Sequence, residues 1–175
     1  MSMPKIEYVK SLIKDVPDFP KEGIIFKDIT PIFMHPQAMQ DVIDAFAEYV
    51  DKLNVDVIVG AESRGFLFGL PLAMQMKKPF VLVRKPNKLP REHYTQEYEL
   101  EYGSSCLEMH KDAIQPNQRV LIVDDLLATG GTVHAIEELV KKAQGQVVGS
   151  VYLIELTFLD GHKKLSAPTF SLIKY

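Results

Sequence analysis

Apolar positions along this chain follow two rhythms. Nearly continuous apolar runs at 55–60, 80–83, 120–123 and 147–156 predict strands covered on both faces, because only a sheet layered between helices keeps consecutive residues away from water. Between the runs the spacing becomes helical. Val42, Phe46, Tyr49, Val50 and Leu53 share a face over 37–53, and Val133, Ile136, Val140 and Ala143 do so over 131–144, with Gly145 where a C-cap belongs. A third helix is expected over 66–77. Alternating strands and helices predict an α/β chain with an open, mainly parallel sheet flanked by helices.

The segment 84–109 breaks this rhythm. It begins with the polar run RKPNKLPREHYTQ, then alternates through Tyr98, Leu100 and Tyr102 and again over 106–109. That pattern predicts a long mobile loop leading into an antiparallel hairpin turned at Gly103 and Ser104. Polar insertions of this length in a compact domain commonly serve as lids.

Chemistry concentrates in VLIVDDLLATGGTVHA, 120–135. An apolar strand is expected to end at two adjacent carboxylates, Asp124 and Asp125, since burying such a pair in a core is costly. The small-residue turn Ala128, Thr129, Gly130, Gly131 and Thr132 follows, and then a helix begins. Free amides at a helix start attract phosphate. Two carboxylates beside it suit a sugar diol, whose hydroxyls they can accept. The dinucleotide pattern G-x-G-x-x-G and the P-loop G-K-[ST] ending are both absent from this stretch.

Composition narrows the classes. The formal charge of −3 argues against nonspecific nucleic-acid binding, which requires a positive surplus. A single cysteine, Cys106, excludes an intramolecular disulfide and a multi-cysteine metal site. No apolar run reaches membrane-spanning length, and MSMPKIEYVK lacks the apolar core of a secretory signal. A cytoplasmic protein, without membrane or nucleic-acid partners, is the expectation. His35, His93, His110, His134 and His162 show no metal-ligand spacing.

The 120–135 stretch resembles the phosphoribosyl-diphosphate (PRPP) motif of the type I phosphoribosyltransferases. PDFPKEGIIFKDITPI (17–32), ESRGFLFG (62–69), VRKPNKLP (83–90), YELEYGSSCLEMHKDAI (98–114) and LIELTFLDGHKKL (153–165) extend the similarity to the branch of that family that acts on adenine. The resemblance implies transfer of 5-phosphoribosyl from PRPP to N9 of adenine, giving AMP and pyrophosphate. It implies a single domain over 1–175, with 1–35 contributing a hood and 84–110 a flexible loop and hairpin, in a homodimer. Mg²⁺ is expected to arrive with PRPP and to be held mainly by substrate rather than by a protein cage.

Carried over residue by residue, the resemblance places the 5′-phosphate on Ala128, Thr129, Gly130, Gly131 and Thr132, and the ribose hydroxyls on Asp124 and Asp125. Pyrophosphate falls to Glu62, Ser63, Arg64 and Gly65, with a cis peptide between Glu62 and Ser63, and to Arg84 and Lys88, beside Lys85. Glu101 is implied near N7 of the base and Tyr102 over the ribosyl centre. Adenine is implied to meet Ile25, Phe26, Lys27 and Leu156. Lys27 departs from the arginine of vertebrate members: the change matters little if only the backbone reads the base, but lysine is not equivalent where a planar guanidinium binds a phosphate or caps the ring. The residues alone leave two other readings open: a different purine as acceptor, and a non-catalytic PRPP sensor on the same fold.

Overall fold

In the computed structural model, residues 3–99 and 104–175 are described. In chain order the elements are α1 (Met3–Leu12), β1 (Lys14–Pro17), β2 (Ile25–Asp28), α2 (Thr30–Phe33), α3 (Pro36–Val50), β3 (Val57–Ala61), α4 (Gly65–Met76), β4 (Phe80–Val83), β5 (His93–Glu99), β6 (Ser104–His110), β7 (Arg119–Leu127), α5 (Gly131–Lys142), β8 (Gln146–Glu155) and β9 (Thr169–Lys174). The chain divides into two compact units, Met1–Glu48 and Tyr49–Tyr175, with the division inside α3.

In the first unit, β1 and β2 form an antiparallel pair in which Asp15 lies opposite Lys27. Their side chains bond, Lys27 Nζ to Asp15 Oδ1 at 2.6 Å. Phe19 and Phe26 meet edge to face at 5.1 Å, the arrangement that ring quadrupoles favour. Lys5 donates to the buried carboxylate of Asp41 at 2.8 Å, and this hydrogen bond holds the Asp41 pKa below the usual carboxylate range.

The second unit is built on a five-stranded parallel sheet in the order β4-β3-β7-β8-β9. Helix α5 covers the face that carries Val57, Val59, Ala61, Val120, Ile122 and Tyr152, all of them buried, while α4 packs along β3 and β7. Every strand expected from the apolar runs is present. The strand order reverses between β3 and β7, and in open α/β sheets ligands bind in the crevice at that reversal.

Four details differ from the sequence expectation. Strand β7 does not end at the diacid but continues to Leu127, with Asp124 paired to Tyr152 of β8. On its other side, β3 pairs with β7 only as far as Gly60↔Val123, so the edge of 124–127 opens into the crevice. The polar run beyond Arg84 is not all loop, because β5 begins at His93 and pairs with β6 from His93↔His110 to Glu99↔Ser104. Tyr94 and Tyr98, alternate residues of β5, pack against the core, and Lys142 of α5 donates to the Thr95 carbonyl. Ser104 belongs to β6 rather than to the turn, and 100–103 lie outside the described residues. Finally, the left-handed residue after α5 is Gln144, at φ 61°. Gly145 instead fits a tight space, where a Cβ would lie 2.9 Å from Ile114 Cγ2.

Candidate active site

A cavity of about 280 Å³ opens at the strand-order reversal. Its floor is the unpaired edge of β7, Asp124 to Leu127, and its walls are Glu62–Arg64 after β3 and the 128–132 turn at the start of α5. Glu62 and Ser63 are joined by a cis peptide. Helix α4 starts close against β7. A Cβ on Gly65 would lie 2.7 Å from the Val123 carbonyl and 3.0 Å from Asp124 Oδ1, so only glycine lets the two loops approach this closely.

The two carboxylates are held differently. Asp125 is 6% exposed and accepts an ion pair from Arg64 Nε at 2.8 Å. Asp124 Oδ1 accepts the Asp125 backbone N–H at 2.9 Å. Burial and then the neighbouring Asp125 charge push the Asp124 pKa well above the ordinary carboxylate range. Burial also raises Asp125, against the opposing pull of Arg64. Like charges in a poorly solvated place disfavour double ionisation, so this pair is primed to take hydrogen-bond donors.

The turn that follows is shaped by backbone alone. Gly130 is the N-cap of α5, at φ 80° and with no side-chain cap, so the first amides of the helix have no capping side chain to compete with an anion. Behind it lies Gly161. A Cβ on Gly161 would fall 2.0 Å from the Ala128 carbonyl, and one on Gly130 would fall 2.4 Å from the Gly161 carbonyl. Main chain thus packs directly on main chain.

Glu62 organises the opposite wall. Its carboxylate receives Arg84 Nε at 3.2 Å and the Lys85 backbone N–H at 2.9 Å. Burial opposes its charge, but the Lys85 amide and the Arg84 guanidinium together hold its pKa below the usual value.

Comparison with known proteins settles the family. The model of the phosphoribosyl transferase domain matches residues 28–171. The chain is 64% identical to an adenine phosphoribosyltransferase of Ureaplasma parvum, over 99% of this chain and all of that one. It belongs to the adenine phosphoribosyltransferase family. The crystal structure of the family member from Thermoanaerobacter pseudethanolicus superposes with a TM-score of 0.95 at 51% identity, covering 97% of this chain and 99% of that one. An adenine phosphoribosyltransferase of Saccharomyces cerevisiae, complexed with an imino-altritol bisphosphate and adenine, superposes with a TM-score of 0.94 at 43% identity, covering 98% and 99%.

Of the residues that the phosphoribosyltransferase resemblance singled out, Glu62, Ser63, Arg64, Asp124, Asp125, Ala128, Thr129, Gly130, Gly131 and Thr132 line this one cavity. Gly65 stands just behind it. Arg84 is bound to Glu62, and the part of Lys88 that reaches it is a backbone carbonyl, which accepts from Arg84 at 3.4 Å. Lys85, rather than Lys88, lines the cavity, as does Tyr98. Leu156 follows β8 and donates its N–H to the Leu127 carbonyl at 2.9 Å. Ile25, Phe26 and Lys27 form most of β2 in the first unit. Glu101 and Tyr102 lie outside the described residues.

Sequence reasoning missed Tyr98, which lines the cavity, and Gly161, which backs its turn. Gly161 lies within the quoted stretch 153–165, but its role is a contact with a turn remote in sequence, and nothing in its own neighbourhood signals that. Among the described residues no three His, Cys, Asp or Glu side chains converge to hold a metal. The carboxylates of the cavity are Asp124, Asp125, which is tied to Arg64, and Glu62, which is tied to Arg84 and the Lys85 amide, a set that would suit Mg²⁺ carried in by substrate phosphates.

Proposed function

We propose that this chain transfers the 5-phosphoribosyl group of PRPP to N9 of adenine, releasing AMP and pyrophosphate. One observation carries the proposal: at the strand-order reversal, a carboxylate pair lies between an uncapped helix start and a wall that bears Arg64 and Lys85. The 5′-phosphate takes the amides and hydroxyls of 128–132, aided by the dipole of α5. Asp124 and Asp125 accept the 2′- and 3′-hydroxyls. Two donors arriving at poorly solvated, mutually repelling carboxylates lower the energy of their charged forms.

The C1–O bond then breaks and its electron pair leaves with pyrophosphate. Arg64, with Lys85 and the 62–65 backbone, stabilises the charge that grows on that leaving group. Adenine N9 attacks the oxocarbenium-like carbon from the opposite face, with inversion, and the ring N–H proton of the base passes to solvent, with Glu101 assigned to help move it. We assign Glu101 to the base near N7 and Tyr102 to the ribosyl centre, with Ile25, Phe26, Lys27 and Leu156 contacting adenine. Arg84 acts through Glu62, and Lys88 adds charge from the flexible loop, whose closure keeps water from the cationic carbon. Mg²⁺ arriving with PRPP would neutralise part of the pyrophosphate charge.

The reading extends to a homodimer and a cytoplasmic setting. Leu67, Leu70 and Met74 form an exposed stripe along α4, and Leu82 of the edge strand β4 is exposed as well, an apolar surface that a second copy of the chain would cover. One cysteine among 175 residues fits a reducing compartment.

The deciding assay mixes pure protein with Mg²⁺, PRPP and a base. AMP is expected from adenine, with kcat/KM for hypoxanthine and guanine lower by about 100-fold or more, because a site built for one base edge leaves groups unpaired with another. No AMP at saturating substrate would sink the proposal.

A further inference from the structure

The β5–β6 hairpin meets the main sheet at an antiparallel bridge between Arg84 and Glu108. Arg84 donates its N–H to the Glu108 carbonyl at 2.9 Å, and Glu108 returns a bond to the Arg84 carbonyl at 2.8 Å. Leu107 and Met109 on either side of Glu108 enter the core, so alternation turns the Glu108 side chain the other way, toward the polar loop 85–92. There it is 6% exposed. A carboxylate so placed needs compensation from donors or positive charge.

Its two oxygens face opposite ends of the loop. Oε2 accepts the backbone N–H of Asn87 at 3.1 Å. Oε1 lies 3.5 Å from His93 Nε2, while His93 Nδ1 is 2.9 Å from the Arg91 carbonyl. The loop between these ends begins at Lys85, which lines the cavity and whose N–H is bound to Glu62. The side chain of Arg84, on the bridge itself, reaches the same Glu62 oxygen. A continuous set of contacts thus runs from Glu108 to the cavity wall.

We propose that Glu108 is a positioning residue for the pyrophosphate side of the site: it pins both ends of loop 85–92 and, through the Arg84 bridge, sets Lys85 and Glu62 against the cavity. Its carboxylate does not touch substrate. An apolar residue of similar size would fill the space and leave the loop unanchored. The kinetic form of this proposal rests on the phosphoribosyl-transfer reading above, whereas its structural form does not.

The test uses the full chain with Glu108→Ala, Glu108→Gln and His93→Ala, reading hydrogen exchange of 85–92, melting temperature, kcat and both KM values. Glu108→Ala is expected to raise KM for PRPP about tenfold while KM for adenine stays within about twofold, and to speed exchange over 85–92 but not in β3 and β7. Glu108→Gln retains an acceptor for Asn87 and recovers most of the loss. Should Glu108→Ala not fold, His93→Ala, which removes only the His93 arm, is expected to raise that KM about threefold at unchanged melting temperature. Wild-type KM and exchange in the folded variants would overturn the proposal. So would a parallel fall in stability, kcat and both affinities that glutamine does not relieve. If the wild-type chain makes no AMP, the transfer reading fails, and the exchange data still decide whether Glu108 anchors the loop.

Discussion

Asp124 illustrates how a residue can serve binding at the expense of stability. Its pKa is raised by burial and by Asp125. A carboxylate whose folded pKa lies above its unfolded value, about 3.9, destabilises the fold progressively as pH rises between the two and by a constant amount above both. Asp124→Asn keeps an oxygen for the Asp125 amide and removes the charge. At pH 7.5 it is expected to melt about 2–4 °C higher, equivalent to about 1 kcal/mol in a chain of this size, while kcat falls by about 100-fold or more. The difference in melting temperature should close as pH is lowered toward 4, which calorimetry across a pH series would check. Asp125→Asn differs, because it breaks the 2.8 Å pair with Arg64. Turnover is expected to fall with the far-UV spectrum unchanged, and unaltered kinetics would refute the diol assignment.

At the scale of elements, the phosphate turn depends on a partner that is easy to overlook. Gly161→Ala would drive a methyl into the Ala128 carbonyl, 2.0 Å away, and the turn must shift. KM for PRPP is expected to rise at least about tenfold, with a melting temperature lower by about 2–8 °C, the loss typical of overpacking. Steady-state kinetics and a thermal melt test this together. The same element shows what was legible beforehand. The diacid, the small-residue turn and the helix after it were plain in 120–135, because charge, size and periodicity are local properties. Gly161 was invisible because its constraint is a nonlocal contact. The early start of β5 at His93 was hidden for another reason: its outward positions, such as Thr95 and Glu97, are polar, and a half-buried strand with polar outer residues reads as loop until the packing of Tyr94 and Tyr98 is known. Arg84 was legible as a cation near the site, but its bond to Glu62, 22 residues away, was not.

At the scale of the whole molecule, the apolar face of α4 is one of the exposed apolar surfaces among the described residues. Met74, Leu70 and Leu67 are 73%, 49% and 46% exposed, at spacings that place them on one side of the helix. Leu70→Lys together with Met74→Glu is expected to shift sedimentation from dimer to monomer at micromolar concentration, with the far-UV spectrum retained. Wild-type chain that sediments as a monomer would remove the dimer from the proposal. The strand order has a consequence of another kind, in time rather than space. The two walls of the cavity come from β3 and β7, and the contact that registers them, the Arg119 amide on Asp56 Oδ2 at 2.8 Å, spans 63 residues of chain. Closing so long a loop is slow compared with winding α4 or α5. A refolding chain should therefore recover most of its helical signal before it recovers any capacity to bind PRPP. Until that pairing forms, a nascent chain would carry the complete motif without a working site.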